Sequence, residues 1–96
     1  MDRKIIAIRK DGGNHYNPNE AISDYKYIDQ TDGNIYFQNR GGFVKWIELG
    51  NAAFVTDKST YRNVYCYVNE SSQGTKFLQT YSDGTYTNNL LELPEF

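Results

Sequence analysis

The side chains able to do chemistry are few and scattered. His15 is the sole histidine and Cys66 the sole cysteine, among twelve carboxylates. A catalytic or metal-ligating histidine needs a nucleophile, an orienting carboxylate or further ligands within reach. His15 lies in a Gly/Asn/Pro-rich loop beside Tyr16, with no second histidine in the chain, and reads as a solvated loop residue. Cys66 shares one side of a predicted strand with Val64 and Val68, between Tyr65 and Tyr67. That side reads as core, where a thiol behaves as a small hydrophobe rather than a nucleophile. Acid–base work by paired carboxylates needs a cleft that separates their pKa values, which no spacing here encodes. Asp11-Gly12-Gly13 and Arg40-Gly41-Gly42 lack the spacing and the Lys-Ser/Thr ending of a phosphate loop. Gly41-Gly42 stands near a helix start, where free amides hold anions, but a tight turn explains the glycines equally well. The chain is read as carrying no catalytic residue, cofactor or metal site.

The tyrosines offer the sharper reading. Tyr65 and Tyr67 lie on the side of their strand opposite Val64, Cys66 and Val68, flanked by Asn63 and Asn69. Exposed rings on a sheet stack single-stranded bases, with cations such as Arg62 and Arg9 for the phosphates. They serve equally as anchors in a protein interface, where tyrosine is enriched. The expectation is that the helix or the C-terminal segment covers them as a second core layer, because a chain so poor in apolar residues needs its rings.

Charge narrows the partners. Ten Lys/Arg against twelve Asp/Glu give a net charge of −2, a poor basis for holding duplex nucleic acid. Arg3, Lys4, Arg9 and Lys10 form a basic strip near the N-terminus, which reads as a solvated strand flank. One cysteine permits no internal disulfide, and residues 4–8 are too short an apolar run for export or membrane spanning. A cytoplasmic protein is therefore expected, folded as one domain over residues 1–96.

The elements that must position these groups follow from local patterns. Residues 4–9 read as a strand closed by Asp11-Gly12-Gly13. Residues 20–23 form a helical turn capped by Asn19. Residues 24–29 place Tyr25 and Tyr27 opposite Lys26 and Ile28, and Asp32-Gly33 turns the chain into a second strand at 35–38. A helix over 39–50 is capped by Asn39 and closed by Gly50, with Phe43, Val44, Trp46, Ile47 and Leu49 as its apolar stripe. Strands at 52–56, 63–68 and 75–81 follow, and Asp83-Gly84 returns the chain through 85–87. Asn88 or Asn89 caps a last turn carrying Leu90, Leu91 and Leu93, which with Phe96 plugs the end of the sheet.

These residues carry a resemblance over nearly the whole chain. Lys4-Ile-Ile-Ala-Ile-Arg-Lys10, Pro18 with Glu20-Ala-Ile22, Trp46-Ile47-Glu48, Val64-Tyr-Cys-Tyr-Val68, Lys76-Phe-Leu-Gln-Thr80, Asp83-Gly84, Asn89-Leu-Leu91 and Leu93-Pro94 are the matching segments. On them the chain resembles the small bacterial family catalogued as domain of unknown function 3892. Members often carry Asp where this chain has Asn88, and either side chain can cap the turn. The resemblance implies a shared fold and brings no activity, cofactor or site residue.

The reading is thus an α+β protein: a mostly antiparallel, twisted sheet of five to seven short strands, one helix packed on it, and an apolar C-terminal clasp. A non-catalytic protein-interaction module is expected, with a protein partner ahead of nucleic acid, no membrane contact, and self-association left open. The alternatives are a single-strand nucleic-acid binder using Tyr65, Tyr67, Arg62 and Arg9, and a small enzyme with a pocket holding His15 or paired carboxylates.

Overall fold

The computed structural model describes residues 2–13, 17–82 and 84–96, which leaves His15 and Asp83 outside the account. Strand β1 (Asp2–Lys10) is followed by a 3-10 turn (Pro18–Ala21), β2 (Ile22–Asp29), β3 (Ile35–Asn39) and helix α1 (Arg40–Glu48). Then come β4 (Ala52–Thr56), β5 (Asn63–Glu70), β6 (Lys76–Ser82), β7 (Thr85–Thr87) and a closing 3-10 turn (Asn89–Glu92). The seven strands make one sheet in the order β3-β2-β1-β4-β5-β6-β7. Every neighbouring pair is antiparallel except β1 with β4.

That single parallel pair dictates where the helix goes. Two antiparallel steps make β3 parallel to β1, and so to β4. The connection from β3 to β4 must cross over β2 and β1, and α1 does so on one face of the sheet. We call this the inner face. A bulge between Ile5 and Ala7 brings Ile5, opposite Tyr27, and Ile8, opposite Tyr25, to that same face, though three residues apart. Asn39 caps α1 by accepting from the Gly42 amide at 2.8 Å, and Gly50 follows at φ 101°. Phe43 and Val44 are buried, and Trp46 and Ile47 pack against the core. Leu49 does not belong to the stripe. It stands one residue past the helix and is 82% exposed.

The core joins Ile5, Ile8, Ile22, Tyr25, Tyr27, Phe43, Ala53, Val55, Cys66, Leu78 and Leu90. Arg3 is built into it: its guanidinium lies 3.8 Å from the Trp46 ring centroid, 4.4 Å from Tyr27 and 5.3 Å from Phe43. Its Nε and Nη1 are buried without a hydrogen-bond partner, so the ring faces are their main compensation. The C-terminal clasp completes the fold. Strand β4 accompanies β1 only through Lys4, and the tail occupies the edge beyond. There the Ile8 amide donates to the Pro94 carbonyl, and the Phe96 amide to the Ile8 carbonyl, each at 3.0 Å. Leu90 is fully buried beneath it.

Two caps differ from expectation. The first 3-10 turn is capped by Asn17, which accepts from the Asn19 amide at 3.0 Å, while Asn19 is itself buried. Pro18 fixes the first turn position, so the capping residue must precede it. At the closing turn Asn88 makes no side-chain cap bond. Asn89 instead accepts from the Thr87 hydroxyl at 2.6 Å and donates to Asp57 Oδ2 at 2.7 Å, tying the tail to the end of β4.

Candidate functional site: the outer aromatic band

Register decides which rings meet on the face that α1 does not cover. Phe54 pairs with Tyr65 across β4 and β5, and Tyr81 with Tyr86 across β6 and β7. Tyr67 shares the outer side with them, because Cys66 and Val64, its strand neighbours by alternation, point into the core. The result is a band of five rings across four adjacent strands. Phe54 and Tyr65 lie 5.8 Å apart by centroid, Tyr67 and Tyr81 5.6 Å, and Tyr81 and Tyr86 5.1 Å. The last two contacts are edge-to-face, at 74° and 81° between ring planes.

The band is open to solvent. Tyr65 is 38% exposed, Tyr67 51%, Tyr81 39% and Tyr86 45%, so the expected covering layer is absent from these rings. The reason is topological: α1 lies on the inner face, and the tail runs beside β1, where its Phe96 ring meets Phe37 and Arg9 and not the band. The outer face has its own small cover, the Pro18–Ala21 turn, but it sits over Phe77 and Gln79. Gln79 Oε1 accepts there from Asn17 Nδ2 at 3.3 Å and from Asn69 Nδ2 at 3.1 Å. A recess of about 340 Å³ opens between Tyr67, Val68, Tyr81 and Tyr86, and none of these described lining residues is charged.

The predicted cations do not converge on this band. Lys4 is opposite Phe54 in the register, but Arg9 lies five residues further along β1, roughly 15 Å away at the rise of a strand. Arg9 stacks on Phe96 at 4.6 Å and donates from Nε to the Phe96 carbonyl at 3.2 Å. Arg3 is inside the aromatic box, and Lys10 approaches Glu95 at 3.8 Å. Arg62 lines a different recess, about 380 Å³, with Asp57, Thr60, Asn63, Ser82, Thr87 and Asn89. In that recess Asp57 accepts from the Thr60 and Ser59 amides and from Asn89, which together hold its carboxyl below the usual range.

The other candidates resolve as structural. Cys66 is buried and its thiol is pushed up to about 12 by desolvation, which removes the thiolate a nucleophile needs. The Gly42 amide is taken by Asn39 and so is not free to hold an anion. Glu20 and Glu70 line a third recess, about 240 Å³, with Asn17, Asn69, Ser71 and Ser72. Among the described residues no group of three or more His, Cys, Asp or Glu is placed to hold a metal ion. Among them, too, no helix is long and apolar enough to cross a membrane.

Tyr81, Tyr86 and Phe54 escaped the sequence reading. The signal was present in the sequence as a turn expected between two short strands: with Ser82 paired to Thr85, Tyr81 falls opposite Tyr86. No curated protein and no solved structure matches the chain. A family model does, over residues 4–94 of the 96, and the chain belongs to that family, described as a protein of unknown function (DUF3892).

Proposed function

We propose that this protein is a non-catalytic interaction module that docks a protein partner on its outer aromatic band. The observation that carries this reading is the exposed Tyr67–Tyr81–Tyr86 cluster around a recess whose described lining residues are all uncharged. Rings locked edge-to-face lose little further freedom on binding, and tyrosine hydroxyls supply hydrogen bonds at the rim of an apolar pocket. Base stacking fits the same rings less well. A platform for bases offers free ring faces, whereas here each contact sets an edge against a neighbour's face. Phosphates also need nearby cations, and Arg3 and Arg9 are committed to Trp46 and Phe96.

The test is affinity capture from native lysate with the wild-type chain and a Tyr67→Ser/Tyr81→Ser variant, each with and without nuclease. The expected result is a defined protein retained after nuclease and lost with the double variant. Capture abolished by nuclease would replace this reading with the nucleic-acid one. Capture indifferent to the double variant would remove the band from the interaction.

A further inference from the structure

Two opposite charges line one recess of this protein and do not meet. The recess of about 380 Å³ lies where the connection from β4 to β5 comes beside β6 and β7, and Asp57 and Arg62 are the charged groups among its described lining residues. They close the base of that connection, the Asp57 amide donating to the Arg62 carbonyl at 2.8 Å. Their side chains nevertheless form no ion pair. Among the described residues the Arg62 guanidinium has no hydrogen-bond partner either. Tyr61, just before it, holds a φ of 59°, the only positive φ outside glycine among the described residues. Backbone of this kind is strained for a bulky side chain and gathers at ligand clamps.

The two sides of the recess differ in what they offer. On one, Asp57 Oδ1 accepts from the Ser59 and Thr60 amides at 2.7 and 3.0 Å, and Oδ2 accepts from Asn89 Nδ2 at 2.7 Å. Asn89 is buried, and its own Oδ1 accepts from the Thr87 hydroxyl at 2.6 Å, so the carboxylate is anchored to the closing turn. Three donors fix it and hold it ionised, and a carboxylate has about four acceptor positions, which leaves one unfilled. The other side is made of donors. Beside the Arg62 guanidinium stand the Ser82 hydroxyl and Asn63 Nδ2, neither with a partner among the described residues. An anion alone would be repelled by Asp57, and a cation alone by Arg62. A molecule carrying both charges matches both sides.

We propose that this recess binds a small zwitterion, a free α-amino acid with an uncharged polar side chain. Its ammonium donates to Asp57, and its carboxylate accepts from Arg62 and Asn63. The Ser82 and Thr60 hydroxyls are left for its side chain. A recess of about 380 Å³ is at the small end of ligand pockets, which suits a molecule of this size. With so few atoms to bind and a charged residue open to water, a dissociation constant on the order of 1 mM follows. None of the described lining residues belongs to the aromatic band, so this site and the proposed docking surface stand or fall separately.

Amide NMR spectra of the full chain, titrated with L-serine and with L-glutamine to about 50 mM, test this. The backbone amides of Asp57, Arg62 and Ser82 should shift and saturate. The N-acetyl derivatives, which lack the ammonium, and the amide derivatives, which lack the carboxylate, should each bind about tenfold more weakly or worse. Arg62→Gln should weaken binding as much without moving the melting temperature, because this guanidinium holds no other part of the fold. Tyr67→Ser/Tyr81→Ser should bind as the wild type does. The absence of shifts with both amino acids overturns the proposal. So does an N-acetyl derivative that binds as tightly as its parent, or an Arg62→Gln variant that binds like the wild type.

Discussion

The inner and outer faces of this sheet hold similar numbers of rings under opposite conditions. On the inner face Tyr25, Tyr27, Phe43 and Trp46 close around Arg3, with Tyr25 and Phe43 wholly buried. On the outer face Phe54, Tyr65, Tyr67, Tyr81 and Tyr86 touch one another just as closely, yet four of the five stand well exposed to water. Ring-to-ring geometry is the same on both sides, centroids 5–6 Å apart and mostly edge-to-face. What differs is the cover. The crossover from β3 to β4 delivers one helix, and its short length suffices for one face. Aromatic contacts alone therefore do not distinguish core from binding surface; the element lying over them does.

Substitution should separate the faces most strongly at their central rings. Phe43→Ala is expected to cost about 3–5 kcal/mol, as for other fully buried rings. Tyr67→Ala should cost no more than about 1 kcal/mol, and chemical denaturation of the two variants measures the contrast. Equal losses would mean that the outer band is also core.

A smaller effect comes from titration under the inner face. Burial raises the folded-state pKa of Cys66 from its ordinary 9.0 to about 12, while the unfolded thiol ionises near the ordinary value. The folded protein then binds more protons in that window. The stabilisation is complete below pH 9 and is lost as pH rises from 9 to about 12, at no more than about 1.4 kcal/mol per pH unit. Burial also pushes the Tyr25 hydroxyl upward, with the same sign. Melting curves across that range should be shallower in pH for Cys66→Ala than for the wild type. Matching slopes would mean that water reaches Cys66.

The finest probe is Arg3. Arg3→Lys keeps the charge but loses the planar group that lies over Trp46 and Tyr27, and should cost about 1–2 kcal/mol. An unchanged midpoint would show that the box holds any cation equally well.

Much of the fold was legible because its signals are local. The Asn39 cap with Gly50, the Asp32-Gly33 turn, and the alternation of Tyr25 and Tyr27 against Lys26 and Ile28 each follow from residues within one turn or two pleats. The first cap was expected at Asn19, two residues late, because Pro18 takes the first turn position and leaves Asn17 to cap it. The aromatic band was half legible: Tyr65 and Tyr67 show it on one strand, but Phe54 joins only through strand order. The basic strip misled for a related reason. A run of cations in sequence shows no destination, and Arg3 and Arg9 went to different ring clusters.

By itself the sequence determined most of the elements, the inward and outward sides of β2 and β5, and the apolar ending that becomes the clasp, because period-2 alternation, caps and turn residues act over a few bonds. Only the tertiary structure decided that β1 and β4 lie side by side, that α1 therefore covers one face, and that the rings of the other remain in water. Those outcomes depend on contacts between segments far apart in the chain, where no residue pattern records which face the single helix will take.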